Sequence, residues 1–175
     1  MSPRGGLIWG EIFMENPALE VEVKVLDPRL QTWGLPRYQS TMAAGIDLFA
    51  CPDAPVTLLP GDPAVLIPSG MAIHIADPGV TAIIVPRSGL GHKKGLVLGN
   101  LVGVVDADYT GQVFISDWNR SGPDTQPIVI EPGERIAQML FVPVLRPSFS
   151  VVSEFSATTQ RGAGGFGSTG SDVQT

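Results

Sequence analysis

The chain has 175 residues, 43% hydrophobic and 16% charged, enough to bury the core of one domain without disulfides or a structural metal. Its formal net charge of −6 argues against a generic nucleic-acid surface, which needs a basic face. No apolar run reaches the roughly 20 residues of a membrane span, so neither nucleic acid nor membrane is expected as a partner.

Cys51 is the only cysteine and His74 and His92 the only histidines. That excludes an internal disulfide and a structural zinc set, and it favours a reducing, cytoplasmic setting with Cys51 as a small buried apolar residue. A hard, oxygen-liganded ion such as Mg2+ stays open.

Residues 1–20 read as an N-terminal extension. The opening MSPRGGLIWGEIF has too short a hydrophobic stretch for a secretory signal, and the regular pattern begins only after Met14. From there short β-rich runs follow in order: VEVKVL (21–26), GIDLFA (45–50), VTLL (56–59), AVLIP (64–68), MAIHI (71–75), VTAIIV (80–85), LVGVV (101–105), QVFISDW (112–118), PIVI (127–130) and RIAQMLFVPV (135–144). Each is bounded by Gly, Pro, Asp or Asn, and none extends into a long 3.6-residue periodicity. The pattern predicts an all-β fold over 21–154, a jelly-roll-like barrel or sandwich of many short strands. A single helical turn is expected after PRSGL (86–90), and residues 155–175 are expected to be a mobile, Gly-rich C-terminal arm.

Several of these stretches carry polar residues that a plain β-core does not need. PRSGL closes the apolar run VTAIIV and offers Arg87, Ser88 and the side-chain-free Gly89 at its mouth. Ser88 is placed to cap a short helix, and Arg87 adds a charged donor that matches phosphate geometry; taken alone, such a segment is an ordinary turn. LGNLVGVVDADYTGQVFISDWN (98–119) reads as two strands joined near DADYTG. As a hairpin, Asp106 and Asp108 would make Asx turns, Tyr109 would cover the core and Gly111 would supply positive φ. The same tip also offers a carboxylate able to activate water and a ring able to pack on a flat or sugar-like ligand.

Asp47, the lone acid of AAGIDLFA (43–50), needs a cation, hydrogen bonds or a sheet edge. Arg135 and Gln138 in GERIAQMLFVPV (133–144) likewise need partners. RGAGGFGSTG (161–170) gathers Arg161, Phe166, Gly167, Ser168 and Thr169 with unobstructed backbone N–H groups, parts suited to anion binding and stacking. Of the 11 Lys and Arg residues, Arg87, Lys93, Lys94, Arg135 and Arg161 fall in or beside these stretches, where an anionic ligand could use them.

Taken in order, the stretches resemble the five motifs of the trimeric deoxyuridine triphosphatase (dUTPase) family, bacterial type. AAGIDLFA is similar to the first motif, PRSGLGHKKG to the second, GNLVGVVDADYTGQVFISDWNRS to the third, PGERIAQMLFVPV to the fourth and RGAGGFGSTG to the fifth, and the resemblance runs from Val21 to Gly170. It implies hydrolysis of dUTP to dUMP and pyrophosphate by water attack on the α-phosphorus, with Mg2+ on the triphosphate. That reaction keeps uracil out of DNA and supplies dUMP for thymidylate synthesis.

By the same match, Asp106 would activate the water and Asn100 would face the uracil edge. Tyr109 would lie under the deoxyribose, while Ser88 and Gln138, supported by Arg87 and Gly89, would contact phosphate. Asp47 would reach the metal through water. Phe166 would stack on uracil, and Arg161, Gly167, Ser168 and Thr169 would close on the phosphates as the arm folds over the nucleotide. The family also implies a homotrimer with shared sites. Two rival readings are a dCTP deaminase-related enzyme, disfavoured because residues 100–111 contain no glutamate, and a non-catalytic nucleotide-sensing module, disfavoured by the presence of both Asp106 and the arm.

Overall fold

The computed structural model describes residues 19–159 and 162–164. The chain divides into two compact units, residues 1–145 and 146–175. Every strand and helix among the described residues lies in the first.

Ten strands and two short helices follow one another: β1 (Glu22–Val25), α1 (Arg29–Trp33), β2 (Ile46–Phe49), β3 (Val56–Leu58), β4 (Val65–His74), β5 (Val80–Pro86), α2 (Ser88–Lys93), β6 (Leu96–Leu98), β7 (Gly103–Val105), β8 (Gln112–Asn119), β9 (Ile128–Ile130) and β10 (Arg135–Pro143). They form two four-stranded sheets, ordered β1-β4-β8-β6 and β2-β10-β5-β7, and a two-stranded β3-β9 sheet. All pairings are antiparallel. The fold is therefore all-β and jelly-roll-like, as the spacing of the apolar runs predicts. No helix among the described residues is long and apolar enough to cross a membrane.

The core lies where the sheets bury their apolar faces. Ile67, Ile73 and Ile115 of the first sheet and Leu48, Ile84, Ile136 and Met139 of the second share one buried cluster. Strand β8 shows the alternation that produces it: Val113, Ile115, Asp117 and Asn119 are buried, while Phe114, Ser116 and Trp118 are not. Cys51 is buried as expected, and burial pushes its thiol up to about 11.

The course of the strands and helices departs from the sequence reading in four places. AVLIP and MAIHI are one strand, β4, broken by a register shift between Pro68 and Ala72. Gly70 sits in the shift at φ 75, and its carbonyl accepts the amides of Leu26 at 2.8 Å and Asp27 at 2.9 Å. Helix α1 is too short for periodicity to reveal; Asp27 Oδ1 accepts the Arg29 amide at 2.9 Å and starts it. Strand β6 went unpredicted because LVL runs directly into LGNLVG.

The fourth departure matters most for the site. LVGVV and QVFISDW are not a hairpin: β7 pairs with β5 in one sheet, whereas β8 pairs with β4 and β6 in the other. The DADYTG turn is a crossing between sheets. So is the GNLV turn before it, which leads from β6 to β7.

Two buried polar residues on β8 contrast sharply. Asn119 donates to the Leu58 carbonyl at 3.1 Å and accepts from the Ser121 amide at 3.1 Å, tying β8 to β3. Asp117 is fully buried, and neither of its oxygens has a hydrogen-bond partner among the described residues. Burial raises its acid to about 7.

Gly70→Ala is expected to destabilise the domain by on the order of 3 kcal/mol in urea unfolding, because a left-handed backbone and a crowded Cβ act together. The added atom would lie 2.7 Å from Cys51 Sγ and 2.8 Å from Asp27 Cβ. For Asp117 the folded acid titrates above its unfolded value, so the stability it contributes is full below the unfolded value of 3.8 and is lost as pH rises toward about 7. The loss is at most about 1.4 kcal/mol per pH unit across that window. Asp117→Val should therefore melt higher than the unsubstituted chain, by a margin larger at pH 8 than at pH 4.5. Equal margins at both pH values would show that Asp117 does not titrate in the folded state.

Candidate active site

Two concavities on the β domain hold most of the polar residues that the sequence singles out among the described residues. The first, about 520 Å3, is lined by Asp47, Arg87, Ser88, Gly89, Lys93, Lys94 and Gln138, with Gln39, Ala43, Gly45 and Leu90. Strand pairing builds it. Asp47 on β2 stands opposite Gln138 on β10, and Gln138 stands opposite Val85 on β5. Gln138 Nε2 donates to the Pro86 carbonyl at 3.0 Å, which fixes the amide beside the start of α2. Gly45 permits this closeness, since a Cβ there would meet the Met139 carbonyl at 3.1 Å and Gln138 Oε1 at 3.3 Å.

Among the described residues Asp47 is the only carboxylate lining this cavity, and it is held between two guanidiniums. Arg87 Nε lies 3.0 Å from Asp47 Oδ1, and Arg135 Nη1 lies 3.0 Å from Oδ2. Arg87 Nη1 also donates to the Arg135 carbonyl at 2.9 Å. With Lys93 and Lys94 on the same rim, positive charge outnumbers negative, as an anion site requires. Ser88 does not cap α2, contrary to expectation. The cap position is Arg87, with extended backbone at φ −75 and ψ 129 and no side-chain cap bond, and Ser88 is the first helical residue. Its exposed hydroxyl makes no hydrogen bond to the described residues and stays available to a ligand.

The second concavity, about 230 Å3, lies where the two sheet-crossing turns come together. Asn100, Gly103, Asp106, Tyr109 and Gln112 line it, with Ile84, Val104, Val105, Val113 and Phe114. The Asp106 carboxylate is exposed and has no partner among the described residues, so neither it nor Asp108 forms the Asx turn expected of a hairpin. The turn is closed by backbone instead, from the Tyr109 amide to the Asp106 carbonyl at 3.1 Å. Tyr109 Oη donates to the Gln112 carbonyl at 2.9 Å, which holds the ring against Gly111.

Gly111 is required for space and not for positive φ: a Cβ there would come within 2.6 Å of Tyr109 Oη. The left-handed residue of this region is Leu101, at φ 64, next to Asn100. The Asn100 carbonyl accepts the Val102 amide at 2.7 Å, a tight turn that presents Asn100 on the surface.

Asp47, Arg87, Ser88, Gly89 and Gln138 thus share one concavity, and Asn100, Asp106 and Tyr109 share the other, with no lining residue in common. Arg161, Phe166, Gly167, Ser168 and Thr169 lie outside the described residues. Among the described residues, no group of three or more His, Cys, Asp or Glu converges as a metal cluster would. Sequence reasoning names Lys93 and Lys94 as cations beside the PRSGL turn without assigning them to the site, and passes over Gly45. Arg135 stands out in the sequence as a cation in need of a partner, but that the partner is Asp47 depends on a strand irregularity.

Comparison with known proteins points the same way. The family model described as dUTPase matches residues 31–170. A deoxyuridine 5'-triphosphate nucleotidohydrolase of Azoarcus sp. is 61% identical over 150 residues, covering 86% of this chain and 97% of that protein. One of Burkholderia thailandensis is 55% identical over 152 residues, covering 87% and 99%. Among solved structures, a variant of the Staphylococcus bacteriophage 80alpha dUTPase with dUpNHpp superposes with a TM-score of 0.72 at 27% identity, covering 86% of this chain and 98% of that one. Another variant of the same phage enzyme reaches 0.73 at 29% identity, covering 89% and 99%. With a family match that spans both concavities and curated relatives aligned along nearly their whole length, this chain belongs to the dUTPase family of hydrolases.

Proposed function

We propose that this enzyme hydrolyses dUTP to dUMP and pyrophosphate by Mg2+-dependent attack of water on the α-phosphorus, in a homotrimer whose sites are shared between chains. The observation that carries the reading is the division of labour between the two concavities: a cation-rimmed one suited to polyphosphate, and a narrow one whose Asp106 carboxylate is exposed and unengaged.

In this reading Asp106 takes a proton from the attacking water, a task that needs a carboxylate not already committed to the protein. Asn100 and the backbone of its tight turn read the uracil edge. Tyr109, fixed through its hydroxyl to Gln112, offers its ring face to the deoxyribose. Arg87, Ser88, Gly89 and Gln138, with Lys93 and Lys94 nearby, hold the phosphates. Phe166 stacks on the base, and Arg161, Gly167, Ser168 and Thr169 close over the phosphates, excluding other water. The lining of the narrow concavity contains no glutamate to shuttle protons in a deamination.

Mg2+ suits the cation-rimmed concavity only through water. Asp47 is its one lining carboxylate and both of its oxygens face guanidiniums. An ion held chiefly by triphosphate oxygens and hydration water, with Asp47 accepting a hydrogen bond from that water, matches this donor set. Bound there, Mg2+ would offset the charge gathering on the departing pyrophosphate. The product side of the reading is removal of dUTP from the DNA precursor pool and supply of dUMP for thymidylate synthesis, in the cytoplasm.

Pyrophosphate release from dUTP, dCTP, dTTP and UTP, each with Mg2+ and with chelator, should show fast cleavage of dUTP alone and only with metal. Equal cleavage of several nucleotides would replace this reading with a broader phosphohydrolase. Exclusion by lack of space is weaker than exclusion by unpaired polar groups, so residual activity should be greater on dTTP and UTP than on dCTP. Asp106→Asn should lower kcat by at least about a thousandfold while a non-hydrolysable imido analogue of dUTP still binds within about threefold. Truncation before Arg161 should abolish turnover, and a truncated chain that turns over normally would remove Phe166 and its neighbours from the site.

A further inference from the structure

Arg135 belongs to neither concavity's lining, yet its guanidinium contacts the same carboxylate that Arg87 does. Its placement depends on an irregularity in β10. The register against β2 shifts between Arg135, opposite Phe49, and Ala137, opposite Leu48, so Ile136 is an extra residue. Ile136 and Ala137, at the shift, are both buried, at 1% and 0% exposure. In a regular strand, residues three apart face opposite sides. The bulge brings Arg135 and Gln138 to one face, the face of Asp47.

The contacts then close into a ring. Arg135 Nη1 meets one oxygen of Asp47, the other oxygen meets Arg87 Nε, and Arg87 Nη1 returns to the Arg135 carbonyl. Arg87 alone with Asp47 would be free to form a two-pronged pair, the strongest geometry for these groups. Such a pair would be fixed by Asp47 alone, with nothing else to set where the remaining guanidinium donors point.

We propose that Arg135 is a positioning residue of the phosphate pocket: by holding one oxygen of Asp47 with its side chain and Arg87 with its carbonyl, it keeps the Arg87 guanidinium at the pocket rim with the rest of its fork open to a phosphate. The proposal rests on the reading of this concavity as a phosphate site and asks nothing of the nucleobase, the metal or the hydrolytic step. Arg135 acts on bound anion only through Asp47 and Arg87. Its effect therefore requires the Asp47 carboxylate.

A double-substitution cycle tests this on the full chain, with inorganic tripolyphosphate as probe, chelator present and calorimetric titration as readout. Arg135→Gln should weaken tripolyphosphate binding about tenfold, whereas in an Asp47→Asn background the same substitution should change it less than about twofold. Arg135→Lys, which keeps a cation near Asp47, should recover binding to within about threefold of the unsubstituted chain. Should Arg135→Gln not fold, Arg135→Lys run through the same two backgrounds carries the cycle, with the loss again confined to the chain that retains Asp47.

An equal loss in both backgrounds would mean that Arg135 touches the anion itself or supports only the fold, and either overturns the proposal. Failure of the unsubstituted chain to bind tripolyphosphate overturns it too, since no anion pocket would then exist to be positioned. The expected cycle in a chain that leaves dUTP uncleaved would uphold the proposal and sink the hydrolase reading.

Discussion

Antiparallel sheets with one apolar face must bury that face against another layer, and in this molecule that requirement sets the path of the chain. Strand β6 ends in one sheet, β7 lies in the other, and β8 returns to the first. Each crossing needs a tight turn at the rim of the core. The two turns, with Leu101 at φ 64 in the first and Tyr109 lying on Gly111 in the second, form the walls of the narrow concavity. The proposed base and sugar pocket is thus a by-product of core closure, built without helices or disulfides. Rigid turns on a packed scaffold are where a reacting group can be held without a cost in ordering.

Electrostatics are handled with little material. The chain is acidic overall, yet Arg87, Lys93 and Lys94 meet on one rim and Asp47 stands among them. A lone carboxylate between two guanidiniums leaves the cluster net positive while preventing the arginines from repelling each other apart. The β10 bulge supplies the geometry, because it is what lets Arg135 and Gln138 share a face. Backbone irregularity and charge arrangement are a single feature here.

Buried polarity on β8 shows how unevenly the core treats its polar residues. Asn119 is fully paired and links the strand to β3, so its burial costs little. Asp117, two residues earlier on the same face, has no partner for either oxygen among the described residues, and burial raises its acid to about 7. The alternation of the strand demanded an inward residue at both positions; the packing found partners for only one.

The period-2 runs and their Gly, Pro and Asp boundaries determine the all-β class, nearly every strand and the identity of the polar residues that stand out: Asp47, Arg87, Ser88, Asn100, Asp106, Tyr109 and Gln138. These are local properties, legible because strand alternation and turn chemistry act over a few residues. Only the tertiary structure decided that LVGVV and QVFISDW lie in different sheets, that AVLIP and MAIHI are one strand, and that Arg135 reaches Asp47 across 88 positions of sequence. Which strand pairs with which depends on burying the whole core at once, and a bulge is fixed by the register of its neighbours. Neither leaves a mark on the residues that carry it.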